Sequence, residues 1–417
     1  MSKVSIIGAY NTKFGAHIEV KDMISFKKKI DTKSYYDMII EAGQGAIKDS
    51  GLAAKDIDAV WIGSCSPSRF VNQEHVAPLA VAIDPALRFK PMTRTECACA
   101  SSSVAIYDAL YSIEAGRFKN VLVIGVEKMN MLDTPAMTQT LATCSYWPEE
   151  GSKGGTFPGL FAELAKAYAA HYKLTDSEFR TQLAHVAALC YKNAASNPLA
   201  HVQNGPATAA EILALPDSGK GSNMMIAAPL RLHDCSLVTD GAAAVVLTTT
   251  ENAKATKKKV VEIAGIGHSE EYLPLSKRPN KWVLEAGKDA VAKAYKEAGI
   301  SAANIDLAEV HDCFTVNQLL CTEALGLSAD GKAGVDYVNG RFTADDDKVC
   351  VNISGGLKAK GHPVGATGAS MHALIYKQLI EEPIGLKPSK KVPQVGVTMN
   401  VGGSAVTNCV TVLRRVK

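Results

Sequence analysis

Short continuous apolar runs alternate along the chain with stretches in which apolar residues recur at helical spacing. VSIIGAY (4–10), VLVIGVEKMN (121–130), GAAAVVLTT (241–249), VVEIAGIGH (260–268), VGVTMNVGGS (395–404) and AVTNCVTVLR (405–414) read as buried strands. ASSSVAIYDALYSIEAG places Val104, Tyr107, Leu110 and Tyr111 on one helical face, which Ile106 and Ile113 widen. LFAELAKAYAAHY (160–172) and VNQLLCTEAL (316–325) are helix-like as well. Buried strands alternating with helices imply an α/β protein whose sheet is covered on both faces.

The pattern occurs twice. AIKDSGLAAKDIDAVWIGSC (46–65) matches AYKEAGISAANIDLAEVHDC (294–313) in its Ala, Lys, Gly, Ala, Ile and Asp positions. Each copy reads as a helix end, a glycine stop, a helical turn and an apolar strand. Two similar halves follow, 1–253 and 254–417, joined by the polar stretch TTTENAKATKKK. In the second half only a glycine-rich turn separates the last two strands. In the first half an insert, 131–239, comes between them. Inserts of that length usually form lids or binding loops.

Composition removes alternatives more than it adds them. Apolar residues make up 47% and charged residues 21% of 417 residues, ordinary values for a chain with a large core. Length alone suggests two or three domains. A net charge of +3 gives no reason to invoke nucleic acid. No apolar run is long enough to span a membrane. The first strand-like run begins so early that no signal peptide is expected, and LRRVK is not a peroxisomal address. The expectation is a cytoplasmic chain with its ten cysteines reduced. No two of them have C-x-x-C spacing, and Cys97 and Cys99 lie too close together for structural zinc, so no metal is expected.

Chemistry concentrates in four places. TECACASSS puts Cys99 at the start of the helix that carries Val104. Free N–H groups and the helix dipole there favour a thiolate and can hold an oxyanion. Small residues around Cys99 leave room for a substrate, although they equally suit a tightly packed helix end with Cys99 as a small core residue. EVHDCFTVNQ sets His311, Asp312 and Cys313 at a strand end, where open α/β folds place active sites. NISGGLKAKGHPVGATGAS has five glycines in 19 residues and presents His362, but it fits no phosphate-binding motif. NVGGSA (400–405) can form a tight turn with free N–H groups. A nucleophilic cysteine, two histidines, a second cysteine and backbone donors make an acyl-transfer set, without naming the acyl group or its carrier.

ACASSS, HDCF and GGLKAKGHPVGATG, together with the duplicated halves, resemble the thiolase family, and the HDCF box narrows the resemblance to the sterol-carrier-protein-type branch. The resemblance implies two βαβαβαββ halves forming a five-layered αβαβα core, with a loop domain inserted in the first half to hold coenzyme A. It implies that Cys99 carries the acyl group and that His362 activates it. His311 and His362 would address the thioester oxygen of the bound acyl-CoA. Cys313 would act as acid and base at the α-carbon, replacing a cysteine that other thiolases carry where this chain has Asn400. The N–H groups of Cys99 and Gly402 would form a second oxyanion hole. Ser236 and Phe314 would contact coenzyme A. His233, Asp234 and Cys235 repeat the triplet but read as structural. Ser102 stands where many relatives have glycine. The resemblance further implies an acyltransferase with coenzyme A as substrate and no permanently bound cofactor. It implies a homodimer or homotetramer, with a zinc-ribbon/OB-fold accessory protein as a possible partner. A thiolase-like aldolase or condensing enzyme and a non-catalytic acyl-CoA-binding subunit are the rival readings.

Overall fold

The computed structural model describes residues 3–20, 29–257 and 259–417. Local sequence explains the repeated unit. Helix α1 (Tyr35–Ser50) stops at Gly51, φ 74°, and helix α6 (Glu285–Ala298) stops at Gly299, φ 65°. This left-handed C-terminal position strongly favours glycine. A single 3₁₀ turn follows in each copy, Ala54–Asp56 and Ala302–Asn304, and then the strand.

The first half supplies strands β1 (Val4–Asn11), β2 (Ala59–Gly63), β3 (Met92–Thr95), β4 (Asn120–Glu127) and β5 (Gly241–Thr249). The second supplies β6 (Val261–Glu270), β7 (Leu307–Val310), β8 (Cys350–Val351), β9 (Val395–Gly402) and β10 (Thr407–Arg415). Their spatial orders are β1-β5-β4-β2-β3 and β6-β10-β9-β7-β8, the same path walked twice. β1 and β6 pair antiparallel, Val4 opposite Ile263, and join the halves into one ten-stranded sheet.

Helices α2 (Ser101–Glu114) and α8 (Thr367–Leu379) pack on each other between the two half-sheets. α1 covers the outer face of the first half and α6 that of the second. The result is five layers, αβαβα. α8 is buried along nearly its whole length and α2 along most of it, Tyr111 excepted, because each has a sheet beside it and a helix against it. Tyr107 on α2 reaches across to Thr411 on β10 at 2.9 Å, and Ser102 Oγ accepts the Ala369 N–H at 2.9 Å.

The insert carries α3 (Thr134–Ala142), α4 (Phe157–His171) and α5 (Asp176–Ala194). It leaves the first half but packs on the second, α4 and α5 against α7 (Thr315–Ala324). Phe161 stacks on Phe314 with ring centroids 4.6 Å apart. The stretch expected to be a plain polar joint is a helix, Thr250–Thr256, because Thr249 caps it by accepting the Asn252 N–H at 3.2 Å. Lys258 in that stretch lies outside the described residues.

Candidate active site

The first component is the loop before α2. Ala98 has φ 49°, a left-handed conformation uncommon for a residue with a side chain, and Glu96 accepts its N–H at 2.6 Å. This sharp turn sets Cys99 two positions ahead of the first helical residue, Ser101. The dipole does not prevail there. Burial pushes the Cys99 thiol well above its ordinary range, Cys144, Glu127 and Glu96 add to the rise, and a Gly403 N–H opposes it. Cys99 therefore rests as a thiol, contrary to the thiolate expected from its place near a helix start.

The second component follows β7. His311 N–H donates to the Met399 carbonyl at 2.9 Å, and Asn317 donates to the His311 carbonyl. Asp312 turns away from the site and accepts the N–H groups of Leu357 at 2.6 Å and Lys358 at 3.1 Å. It thereby ties the HDCF segment to the glycine-rich loop. That loop forms a π-helical turn, Gly356–Lys360, and then presents His362. Glu127 holds the loop from the other half, accepting the N–H groups of Cys65 at 2.7 Å and Gly365 at 3.2 Å, while burial pushes its own carboxyl up to about 7.

The two imidazoles have opposite proton positions, and their partners assign them. His311 Nδ1 accepts from the Asn400 amide at 3.0 Å and from the Val401 N–H at 3.3 Å. Its Nε2 must then carry the hydrogen, and that atom is buried with no partner among the described residues. His362 Nδ1 lies 2.8 Å from Thr367 Oγ1, whose own hydrogen goes to the Pro363 carbonyl at 3.0 Å. Nδ1 is therefore the donor there, and His362 Nε2 is a bare acceptor. Both rings stay neutral: burial lowers His311 well below the usual histidine range and lowers His362 to about 3, with Lys360 adding to each.

Cys99 Sγ and a ring nitrogen from each histidine lie within 4.8 Å of one another. With Nδ1 already engaged, the nitrogen that His311 leaves free carries a hydrogen rather than a lone pair, so the trio suits an oxyanion better than a cation. Cys99, Cys313, His362, Ser236 and Phe314 line one cavity. Cys313 is raised by burial first and next by Cys99, as expected for two thiols that cannot both ionise side by side. The glycine on the cavity wall, with its N–H on Cys99, is Gly403 rather than Gly402. Gly402 lies directly behind, where a Cβ would sit 2.4 Å from the Cys97 carbonyl. His233 stays outside the cavity lining and bonds Tyr191 at 2.9 Å, while Asp234 accepts from Thr315 at 3.1 Å.

Two family models match, "Thiolase, N-terminal domain" over residues 4–205 and "Thiolase C-terminal domain-like" over 267–415. An acetyl-CoA acetyltransferase of Methanothermobacter thermautotrophicus is 36% identical over 415 residues, covering 100% of both chains. The chain belongs to the thiolase family. Rabbit (Oryctolagus cuniculus) sterol carrier protein 2 is 28% identical over 90% of this chain and 68% of its own. Among solved structures, the Ltp2–ChsH2(DUF35) aldolase superposes with a TM-score of 0.79 at 19% identity, over 99% of this thiolase and 97% of that chain.

Three contributors to this thiolase site carry no cue in the sequence read alone. Asn400 touches both Cys99 and His311, yet it registered only as the place of an absent cysteine. Thr367, five residues after His362, orients the ring by the back-bonding usual for threonine in a first helical turn. Met129, just after β4, and Met137, Leu141 and Cys144 of the insert line the far side of the cavity, and only tertiary packing brings the insert there.

Proposed function

We propose that this thiolase is an acetyl-CoA C-acyltransferase, interconverting a 3-ketoacyl-CoA plus coenzyme A with acetyl-CoA and a shortened acyl-CoA. The observation that carries this reading is the convergence on one cavity wall of Cys99 from the first half with Cys313 and His362 from the second, backed by His311.

In thiolysis the Cys99 thiol attacks the 3-keto carbon as its proton passes to His362 Nε2. The N–H groups of Cys99 and Gly403 hold the tetrahedral oxyanion. The bond between C2 and C3 breaks, leaving the acyl group on Cys99 and an acetyl-CoA enolate. His311 Nε2–H faces that enolate oxygen, and Cys313 protonates the α-carbon. Coenzyme A then attacks the thioester and frees Cys99. Once acylated, Cys99 can carry no negative charge, which removes its opposition to Cys313 ionising in the reverse, condensing direction. Ser236 and Phe314 contact the coenzyme A arm. Coenzyme A is a substrate here, and no permanently bound cofactor is needed for these steps.

Coarser features support the setting. No helix among the described residues is long and apolar enough to cross a membrane, and all ten cysteines are free, in keeping with a cytoplasmic enzyme. β3 ends the sheet with an edge unpaired among the described residues, in keeping with a homodimer or homotetramer. The name of the Ltp2–ChsH2(DUF35) aldolase couples two proteins, which supports testing an accessory zinc-ribbon/OB-fold partner.

Thiolysis of 3-ketoacyl-CoA substrates of increasing chain length, with and without a co-encoded accessory protein, tests the reading. Release of acetyl-CoA with consumption of coenzyme A is expected. Binding of acyl-CoA without cleavage under every condition favours a non-catalytic subunit instead.

A further inference from the structure

Asn400 is fully buried, and its polar atoms are all engaged at the site. Its amide nitrogen donates to the Cys99 carbonyl at 3.2 Å and to His311 Nδ1 at 3.0 Å, and its Oδ1 accepts the Ser103 hydroxyl at 2.8 Å. These contacts fix which way the amide points. The reversed amide would set its oxygen against the Cys99 carbonyl and its NH₂ toward the hydroxyl that now donates to it. The direction has a consequence one residue away. A ring nitrogen that accepts cannot carry a proton, so the hydrogen of neutral His311 is driven to Nε2. That Nε2 is buried and without a partner among the described residues. A buried donor left unpaired is destabilising, and a substrate oxygen placed against it would relieve that penalty.

We propose that Asn400 is a positioning residue that sets the His311 tautomer, converting the imidazole into a fixed donor for the enolate oxygen while holding the nucleophile's own carbonyl. This rests on the reading of His311 as an oxyanion donor. One amide thus bridges the two components that must keep register, the Cys99 turn from the first half and the HDCF segment from the second. Val401 N–H supports the same tautomer from a longer 3.3 Å, so loss of the amide alone weakens the preference, whereas an acceptor at position 400 reverses it.

Asn400→Asp puts that acceptor in place with almost the same shape. The direct readout is ¹⁵N NMR of the histidine rings, with His311 assigned by its absence in His311→Asn. In the unaltered protein, Nδ1 is expected to be pyridine-like and Nε2 pyrrole-like. In Asn400→Asp, Nδ1 gains a proton. The rate of acetyl-CoA α-proton exchange falls about 100-fold, the scale of one lost oxyanion donor, while acetylation of Cys99 falls far less. In a His311→Asn background, Asn400→Asp adds little further loss of exchange. An Nδ1-protonated His311 in the unaltered protein overturns the proposal. So does an unchanged tautomer in Asn400→Asp, or equal losses in both half-reactions that add fully to those of His311→Asn. If Asn400→Asp does not fold, the spectrum of the unaltered protein and that of Asn400→Ala, where the two tautomers mix, decide the matter. Absence of all acyl transfer in the unaltered protein defeats the functional reading alone, since the tautomer is read without substrate.

Discussion

His311 and His362 meet edge to face, ring centroids 5.0 Å apart and planes at 89°, with their protons on opposite nitrogens. One ring offers a hydrogen and the other a bare lone pair although both have the same formal chemistry. The difference comes entirely from what each Nδ1 touches.

Thr367→Val tests the base. Without the hydroxyl, His362 Nδ1–H is buried with no acceptor, and the tautomer that leaves Nε2 bare loses its support. The cost of an unpaired buried group is about 1–3 kcal/mol, so Cys99 acetylation should slow about tenfold to hundredfold. Rapid-quench acetylation with acetoacetyl-CoA measures it. An unchanged rate removes Thr367 from the mechanism.

Cys313→Ala separates the half-reactions. Cys99 should still take an acetyl group from acetoacetyl-CoA or acetyl-CoA. Exchange of deuterium into the acetyl-CoA methyl group should fall about 10²–10⁴-fold, the usual worth of a positioned acid or base. Full exchange by this variant contradicts the role given to Cys313.

Much of this arrangement is legible in sequence because it is local. The glycine stops at 51 and 299, the strands that follow them, and the positive-φ glycines 355, 356 and 361 are all signalled within a few residues. The clustering of Cys99, Cys313 and His362 is legible only through family resemblance, since more than 200 residues of chain separate Cys99 from each of the other two. The thiol state of Cys99 is not legible at all. A helix start argues for thiolate, but burial among Cys144, Glu127 and Glu96 reverses the sign, and that depends on tertiary packing. Asn400 is hidden for the same reason, because its partners lie on other elements of both halves.

Acyl selectivity should follow the far wall of the cavity, where Met129, Met137 and Leu141 stand and, among the described residues, no Lys, Arg, Asp or Glu contributes. Apolar acyl groups should be preferred over those ending in a carboxylate. Leu141→Trp should lower kcat/KM for longer 3-ketoacyl-CoA substrates about tenfold relative to acetoacetyl-CoA, a displacement of one or two methylenes. Parallel loss on all lengths places Leu141 outside the acyl path.

His372 offers a pH test away from the chemistry. It is buried on α8, its Nδ1 2.7 Å from the Gly368 carbonyl, and burial lowers it to about 4. The unfolded chain takes up this proton near pH 6.5, whereas the native chain does not until about 4. Its contribution to stability is therefore intact above about pH 6.5 and declines as pH falls toward 4. His372→Gln should remove up to one proton, about 1.4 kcal/mol per pH unit, from the slope of unfolding free energy in that window. Urea unfolding at several pH values measures the slope, and identical slopes for the two proteins contradict a neutral buried His372.

The most direct measurement is peptide-level mass spectrometry after brief incubation with acetoacetyl-CoA and an acid quench. Acetyl should be found as a thioester on Cys99, with Cys97, Cys144 and Cys313 unmodified, and it should disappear when coenzyme A is added. An enzyme that turns over while Cys99 stays unlabelled, or that labels Cys313 instead, contradicts acyl transfer through Cys99.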